Sequence, residues 1–296
     1  MTTLSRKDWI LLVLLTLVWG INWPIMKHGV TGFPPLTFRT LSMLGGLPVI
    51  WLAARMQGVS LAIPAGRALD VAKLAVPNML IWHVAMILAV KMLSSGRSAI
   101  LGYTMPVWAV LSGLLFFGDR LDRAAWLGVG CALGGALLLL SSEFSAFSGS
   151  PAGTALALIA AAAWGYGTVA LKRARIEMPT ISLTFWMLAM ATAVMAILSF
   201  IVEGEQWSVP DASTISAILY NALLVFGFAH VVWFQLARML PPVASSLSIM
   251  LIPVLGVFSG AWLLEETLHW QDYGAMLLIL AAMSTVLLKP AVLKHK

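Results

Sequence analysis

The stretch LVWGINWPIMKHG, residues 17–29, has a counterpart far along the chain in AAWGYGTVALKRA, residues 162–174. Each stretch places a Trp-Gly pair, at Trp19 and Trp164, inside an apolar run, and each has a lysine eight residues after the tryptophan. The chain therefore contains one short element twice. The kind of protein that needs two copies follows from the composition and from the spacing of the apolar runs.

The composition indicates that lipid is the main solvent of this chain. Of its 296 residues, 60% are hydrophobic and 10% are charged, and the mean hydropathy is +0.94. Soluble domains carry roughly 25% charged residues, so this chain could not cover a water-facing surface. The net charge of +6 comes from basic residues scattered over short loops, which argues against a nucleic-acid partner. The single cysteine, Cys131, excludes an intrachain disulfide and any cysteine-based metal cluster.

Ten apolar runs of about 20 residues are separated by short polar segments, and each run is long enough to cross a bilayer as a helix. The first run is too long for a cleavable signal peptide, so we expect it to be retained. The sequence predicts an all-α membrane protein with ten transmembrane helices. The predicted spans are residues 9–27, 35–55, 71–90, 95–117, 124–142, 152–171, 181–202, 213–236, 242–264 and 270–288.

The basic residues predict the orientation of these spans. If the chain crosses the membrane ten times, 14 of the 18 Lys and Arg residues fall on the side of the N-terminus, and the other four fall on the opposite side. The positive-inside rule makes the first side cytoplasmic. Both termini are therefore predicted to be cytoplasmic. The four basic residues on the outer side are Lys27, Arg39, Lys91 and Arg97.

A longer internal repeat accompanies the two Trp-Gly elements. Residues 83–113 align without gaps with residues 230–260, at an offset of 147, and ten of the 31 aligned positions are identical. Each half holds five spans, an odd number, so the second half would enter the membrane in the opposite orientation. The sequence predicts two inverted five-helix repeats, residues 1–147 and 148–296, which together form one transport domain. Secondary transporters often have this architecture, with the substrate site between the repeats.

These features resemble the EamA branch of the drug/metabolite transporter superfamily. The resemblance rests on ten spans in two five-span halves, on Trp-Gly in spans one and six, and on Pro followed by Ser-Gly in spans four and nine. Within that branch the chain is similar to bacterial inner-membrane exporters of aromatic and other neutral amino acids. The resemblance implies that spans 1–4 and 6–9 surround a central cavity and that spans 5 and 10 lie at the periphery.

Polar and aromatic side chains near the middle of the spans are the candidates for a substrate site. An ionisable residue inside a membrane is a functional hypothesis by default, which favours His83 and its repeat mate His230 as donors to a substrate carboxylate. The alternative is a neutral imidazole bonded to a backbone carbonyl, and the aromatic candidates could serve helix packing instead. The predicted substrate-binding residues are Asn22, Trp82, His83, Tyr103, Trp164, Trp186 and His230.

Prolines within the spans are candidates for kinks or hinges, because each removes a backbone hydrogen bond from its helix. Pro106 and Pro253 occupy equivalent positions in the two halves, so we expect paired bends there. Gly130 and Gly134 are predicted to form the packing face of span five, with dimer formation as the alternative. The predicted hinge residues are Pro24, Pro77, Pro106 and Pro253.

Carboxylates are missing from the predicted membrane interior. All twelve Asp and Glu residues fall in loops or at span ends, so no candidate exists for a buried proton or sodium relay. This favours facilitated export, with coupling through a histidine as the alternative, and it leaves aromatic faces to attract a substrate ammonium by roughly 0.5–2 kcal/mol. Two histidines without a third ligand make a poor metal site, so we expect neither a metal nor a cofactor.

The sequence therefore predicts a secondary transporter that exports neutral amino acids, aromatic ones in particular, by rocking of its two halves around a central cavity. The nearest alternative is the same fold with another small metabolite or a drug as cargo. An intramembrane enzyme is disfavoured, because the chain has no HExxH, no GxSxG and no paired carboxylates within its spans. A passive channel would need a continuous polar stripe. We expect a small-molecule substrate and the lipid bilayer as partners, and a monomer, with a dimer as the alternative.

Overall fold

The structure, a computed structural model, describes residues 6–145, 150–174, 176–232 and 242–287, without the side chains of residues 7, 143–145, 242–249 and 286–287. Within these ranges the chain forms ten helical segments, which we number in chain order. They are α1 (Arg6–Thr31), α2 (Pro35–Met56), α3 (Ala68–Met92), α4 (Ser95–Phe117), α5 (Arg123–Ser145), α6 (Pro151–Arg173), α7 (Thr180–Glu203), α8 (Ala212–Val232), α9 (Pro242–Leu263) and α10 (Trp270–Leu287).

Eight of the described helices, α1 to α8, are long and apolar enough to cross a membrane, and α9 contains a shorter apolar run at Met250–Leu263. Large apolar side chains cover the outer surface: Ile201 is 70% exposed and Trp262 is 81% exposed. An apolar surface of this kind is stable only against lipid. The end of the predicted eighth span beyond residue 232, both chain termini and the predicted boundary between residues 147 and 148 lie outside the described residues.

Eight of the described helices form a closed ring, in the spatial order α1, α9, α4, α6, α3, α7, α2 and α8. The helices α5 and α10 pack on each other outside this ring. The family resemblance implied this ring and the peripheral place of α5 and α10, whereas the central cavity that it also implied stays a prediction. The same pairs of neighbours also recur in the two halves. When each helix is replaced by its counterpart five helices along the chain, the contact of α1 with α9 becomes the contact of α6 with α4, and the order of the ring is unchanged.

The glycines of the two Trp-Gly pairs lie where ring helices touch. A Cβ atom on Gly20 would lie 2.5 Å from the Cβ of Leu255 in α9. A Cβ atom on Gly165 would lie 2.7 Å from the Cβ of Trp108 and 2.6 Å from the backbone nitrogen of Ala109, both in α4. Leu255 and Trp108 are equivalent positions of the repeat. The duplicated motif therefore makes the same close helix contact in both halves.

The packing face of α5 differs from the predicted one. A Cβ atom on Gly128 or on Gly135 would lie 3.2 Å from a backbone carbonyl oxygen of α10, so these two glycines form the contact. Apart from its chain neighbours and its own helix backbone, no heavy atom of the described residues lies within 4 Å of a Cβ atom built on Gly130, and the nearest to one on Gly134 is a methyl carbon of Leu278 at 3.7 Å. The prediction for Gly130 was wrong, because two residues along a helix turn the side chain by about 200°.

Proline affects α4 and α9 differently. The helix α4 is interrupted at Tyr103 and Thr104, and Pro106 lies in the first turn after the interruption, where no helical hydrogen bond needs its missing N–H. In contrast, α9 continues through the equivalent Pro253, as α1 does through Pro24. The two repeats are therefore asymmetric at these equivalent prolines.

The equivalent helices α3 and α8 each contain a π-helical stretch, Val76–Ile81 with Pro77 inside it and Tyr220–Ala229. Such stretches are rare and frequently occur at functional sites. Each one ends within two residues of a predicted site histidine, His83 in α3 and His230 in α8. The irregular backbone therefore coincides with the ionisable residues of the membrane interior.

Candidate functional site

Four aromatic side chains meet at the interruption of α4. The ring centroids of Trp82 and Trp164 are 5.1 Å apart, and those of Trp23 and Tyr103 are 6.2 Å apart. Gly102 lies between the two pairs, since a Cβ atom there would be 3.1 Å from Trp23 and 3.5 Å from Trp82. We name this group the tryptophan cluster. It joins α1, α3, α4 and α6.

A second group, which we name the histidine cluster, surrounds Phe226 of α8. The ring of His83 meets Phe226 edge to face at 5.2 Å, and the ring of His230 stacks on it at 5.5 Å. The guanidinium carbon of Arg39 lies 5.7 Å from the centroid of the same ring. Trp19 closes the group with an edge contact to His230 at 5.8 Å. Phe226 thus contacts cationic or titratable side chains from α2, α3 and α8.

Small residues of α2 allow α8 to approach so closely. A Cβ atom on Gly46 would lie 2.4 Å from the Cβ of Phe226, and one on Gly45 would lie 2.8 Å from the Cβ of Ala222. Close contact through glycine is common between membrane helices, where van der Waals packing replaces the hydrophobic effect. The Gly-Gly pair therefore sets the depth of Phe226 in the ring.

Buried polar atoms of the site lack hydrogen-bond partners among the described residues. They are Oδ1 of Asn22, Nε of Arg39 and both ring nitrogens of His83, and these residues are 7%, 3% and 4% exposed. His230 differs, because its Nδ1 lies 2.7 Å from the carbonyl oxygen of Val225. The backbone-bonded alternative thus applies to His230. An unpaired buried polar atom costs about 1–3 kcal/mol, so these atoms are suited to a polar ligand.

Trp186 lies away from both clusters. Its indole N–H donates to the carbonyl oxygen of Leu61, at 2.5 Å, in the loop between α2 and α3. The hydroxyl of Ser182 donates to the carbonyl oxygen of Ser60 in the same loop. A substrate contact for Trp186 therefore stays a prediction. Five of the other predicted residues belong to the two clusters, and Asn22, buried in α1, lies three residues after Trp19 on a neighbouring part of the helix surface.

Sequence reasoning did not assign Trp23, Arg39 or Phe226 to the site. Arg39 gave the same signal as the histidines, an ionisable residue within a span, but its place near the outer end of α2 argued against a central role. Trp23 lies four residues after Trp19, on the same helix face. For Phe226 no signal exists, because phenylalanine is ordinary in a membrane helix. Its role depends on which helices the fold brings together.

A cavity of about 580 Å³ opens at the end of the ring that the predicted orientation places outside. Lys27 lies at its edge, and its Nζ donates to the carbonyl oxygen of Lys91 at 3.0 Å, which ties α1 to α3. Asp211 accepts a hydrogen bond from the backbone N–H of Thr214, and this bond lowers the pKa of that carboxyl. Within the described ranges no three His, Cys, Asp or Glu side chains are arranged to hold a metal ion. The ionisable residues lining the cavity are Lys27, His28, Asp211 and Glu266.

Glu266 joins the turn between α9 and α10 to the start of α4. Its carboxylate accepts hydrogen bonds from the backbone N–H of Ser95 at 2.7 Å, from the hydroxyl of Ser95 at 2.8 Å and from the N–H of Gly96 at 3.2 Å. Glu265 directs the turn with a left-handed φ of 54°, and Gly118 has a φ of 71° at the equivalent position of the first half. This carboxylate therefore closes the gap between the α9–α10 turn and the start of α4, beside the mouth of the outer cavity.

Glu266→Gln should loosen this closure, because a neutral amide with a single acceptor oxygen replaces three charge-assisted hydrogen bonds. The measurement is the labelling rate of a buried cysteine, Ala99→Cys in a Cys131→Ala background, with a membrane-impermeant maleimide. We expect labelling about tenfold faster, which corresponds to a loss of roughly 1.4 kcal/mol. Glu265→Gln is the matched control and should leave the rate unchanged. Equal rates in both variants would contradict the closing role of Glu266.

The model of the EamA-like transporter family matches residues 7–141 and again residues 151–288. The chain is 28% identical over 253 residues to the "Uncharacterized transporter YoaV" of Bacillus subtilis, covering 85% of this chain and 86% of that protein. It is 25% identical over 288 residues to the "Probable amino-acid metabolite efflux pump" of Escherichia coli, covering 93% of each. It is 26% identical over 275 residues to the "Uncharacterized inner membrane transporter YedA" of the same species, covering 93% of this chain and 88% of that one.

A solved crystal structure has the same fold. It superposes with a TM-score of 0.68 at 23% sequence identity, and the match covers 98% of this chain and 100% of the other. At that identity the likeness speaks for the fold alone. The ring of helices described above is therefore an architecture that an experimental structure shares.

Proposed function

We propose, since the chain belongs to the EamA-like transporter family, that it exports neutral amino acids, aromatic ones in particular, by alternating access around the tryptophan and histidine clusters. The chain is a multi-pass protein of the inner membrane, as its family and its relatives indicate. One observation supports the cargo most directly. The centre of the ring combines aromatic faces with unpaired polar atoms, of which the His83 imidazole is the clearest example.

The two ends of a zwitterionic amino acid suit different parts of this centre. An imidazole N–H of His83 can donate to the carboxylate, since neither ring nitrogen has a partner among the described residues. The faces of Trp82 and Trp164 can attract the ammonium by cation–π interaction and can pack against an aromatic side chain. The free amide oxygen of Asn22 is a further acceptor for the ammonium.

Relatives support export of this class of compound. Proteins of Escherichia coli and of Salmonella typhimurium, both 25% identical to this chain, carry the name "Probable amino-acid metabolite efflux pump". The proposal for aromatic cargo also follows the sequence-based resemblance to the bacterial aromatic amino acid exporter YddG, which rests on a general likeness of the first, third and fourth spans. An exporter of another small metabolite or of a drug on the same fold is the alternative.

Two inverted five-helix repeats, residues 1–147 and 148–296, would supply the two states of alternating access. The separate family matches to residues 7–141 and 151–288 and the exchangeable neighbour pattern of the helices support this division. We propose facilitated transport without ion coupling, because no carboxylate belongs to either cluster among the described side chains. Proton or sodium relays within membranes commonly depend on such a group.

Counterflow uptake in proteoliposomes tests the proposal. Labelled phenylalanine, tryptophan, threonine, glutamate and a cationic drug would be compared with and without a pH gradient. We expect uptake of the neutral amino acids without a gradient, and a loss of about tenfold or more in His83→Ala and in Trp164→Ala. That factor corresponds to roughly 1.4 kcal/mol, the order of one charge-assisted hydrogen bond or one cation–π contact.

Trp262→Ala is the matched control for Trp164→Ala, because Trp262 is 81% exposed on the outer surface. It should retain wild-type uptake. Movement of the cationic drug without any amino-acid uptake would overturn the cargo and would favour the alternative. A requirement for the pH gradient would overturn facilitated transport and leave the cargo in place.

A further inference from the structure

Arg39 is a buried cation without a buried anion. It is 3% exposed, and among the described side chains it forms no salt bridge. Its Nη1 lies 3.5 Å from the amide oxygen of Asn221, at the limit of a hydrogen bond, and its Nη2 contacts the sulfur of Met26 at 2.6 Å. Its Nε has no hydrogen-bond partner in the part of the chain that the structure describes. A guanidinium stays protonated even when buried, so this charge is poorly compensated.

We propose that Arg39 binds the carboxylate of the transported molecule, so that a carboxylate is the feature every cargo must have. The inference rests on the proposed transport function and adds to it the group that selects the substrate. An arginine inside a membrane that faces the bundle interior is expensive and marks a substrate pathway. The carboxylate of the cargo would supply, during transport, the counter-charge that the described side chains lack at this position.

The free edge of the guanidinium has the geometry for this partner. A carboxylate binds arginine side-on through Nε and one Nη, with two parallel hydrogen bonds. On Arg39 the two atoms are Nε and Nη2. Nε has no hydrogen-bond partner among the described residues, and the partner of Nη2 is the thioether of Met26, which is a weak acceptor. The amide of Asn221 occupies the opposite edge and holds the group in place. Of the hydrogen bonds described for Arg39, a carboxylate on this edge would replace only the contact with the sulfur of Met26.

The surroundings of Arg39 also favour an amino-acid carboxylate. The guanidinium and the ring of His83 both contact Phe226, from α2 and α3 respectively. An imidazole N–H and a guanidinium can therefore converge on one anion next to an aromatic face. The position of Arg39, one helical turn inside the outer end of α2, places this contact on the outer side of the tryptophan cluster. A cargo leaving the cell would meet Arg39 after the aromatic rings.

The competing explanation is that Arg39 only ties α2 to α1 and α8. A structural tie would change stability and the transport of all substrates alike. A carboxylate anchor instead changes which compounds compete. The decisive quantity is therefore the relative strength of inhibition by ligands that differ in one group. These ligands are phenylalanine, 3-phenylpropionate, which lacks the ammonium, and phenethylamine, which lacks the carboxylate.

The experiment measures inhibition of labelled phenylalanine counterflow by these compounds in wild type, Arg39→Gln, Arg39→Lys and Arg55→Gln. In the wild type, we expect 3-phenylpropionate to compete and phenethylamine not to compete. In Arg39→Gln, the KM for phenylalanine should rise by about 10- to 100-fold, the range for losing hydrogen bonds to a charged group, with a smaller change in kcat. Arg39→Lys keeps the positive charge but cannot form the two parallel hydrogen bonds, so it should give an intermediate KM.

Arg55→Gln is the matched control, because Arg55 lies on the same helix with its guanidinium over the exposed ring of Trp51. It should behave as wild type. If Arg39→Gln does not fold, the competition panel on wild type and Arg39→Lys decides the question. Competition by phenethylamine as strong as by 3-phenylpropionate would overturn the inference. If no neutral amino acid is transported but labelled 3-phenylpropionate is, the proposed cargo fails while the carboxylate anchor stands.

Discussion

Glu203→Ala should destabilise the protein more than any other single change considered for this chain. The carboxylate, 4% exposed at the end of α7, accepts hydrogen bonds from the backbone N–H groups of Leu36 and Thr37 and from the hydroxyl of Thr37, at 2.8–2.9 Å. It therefore caps the first turn of α2. Alanine would leave two buried N–H groups without an acceptor, at about 1–3 kcal/mol each.

The measurement is a thermal unfolding scan of the detergent-solubilised protein at one fixed rate, because unfolding of such proteins is commonly irreversible. We expect the midpoint to fall by about 5 °C or more. Glu203→Gln keeps one acceptor oxygen, so its unfolding midpoint should lie between those of wild type and Glu203→Ala. Glu205→Ala, two residues away with an exposed side chain, should stay near wild type. If Glu203→Ala and Glu205→Ala have the same unfolding midpoint, the cap contributes nothing to stability.

Gly165→Ala should have the second largest effect. The added Cβ would lie 2.6 Å from the backbone nitrogen of Ala109 and 2.8 Å from the carbonyl oxygen of Met105. Backbone atoms cannot swing aside as a side chain does, so α6 must move away from α4. Overpacking of this kind costs about 1–3 kcal/mol. The same shift would carry Trp164 away from Trp82, so transport should fall as well.

Gly130→Ala provides the control for Gly165→Ala. It also adds one methyl group to a glycine within a helix, but nothing lies within 4 Å of that position in the described residues. Because alanine favours helix by about 1 kcal/mol over glycine, we expect unchanged or slightly raised stability. Thermal unfolding and counterflow on both variants compare the two sites directly. Equal behaviour would mean that the Trp-Gly contact of α6 with α4 is not tight.

The fold was largely predictable because lipid imposes a simple pattern on sequence. Apolar runs of about 20 residues mark the helices, and nine of the described segments retain an apolar stretch where the sequence predicts a span. The peripheral place of α5 and α10 came from the family resemblance. The packing face of α5 was not predictable from Gly130 and Gly134, since a small residue does not indicate which way it points. The π-helical stretches also gave no local signal that sequence reasoning could use.

The site was predictable only where chemistry was unusual for a membrane. His83 and His230 stand out as ionisable groups among apolar residues, and the structure brings both to Phe226. Phe226 itself and Trp23 could not be assigned, because their position depends on contacts between helices that are distant in sequence. Arg39 is recognisable in the sequence as a basic residue within a span, but the distance of its Cα from the span end did not indicate how deep its guanidinium lies. A long side chain reaches further than its Cα position suggests.

The ring order changes how the moving parts should be pictured. The most extensive helix contacts, such as α1 with α9, α2 with α7 and α3 with α6, join a helix of the first half to a helix of the second. Rocking of the two halves as separate bodies would break all of them at once. Moving groups that mix helices from both halves would keep these contacts, and rocking of the two halves stays a prediction.

The same interleaving has a consequence for biogenesis. The first five helices enter the bilayer before their main packing partners have been synthesised, and at 5–20 residues per second the second half needs roughly 7–30 s to follow. During that interval α1 lacks α9, α2 lacks α7 and α5 lacks α10. The nascent half must persist with few of its final helix contacts, and closure of the ring is a late event that waits for α9, the last ring helix to be synthesised.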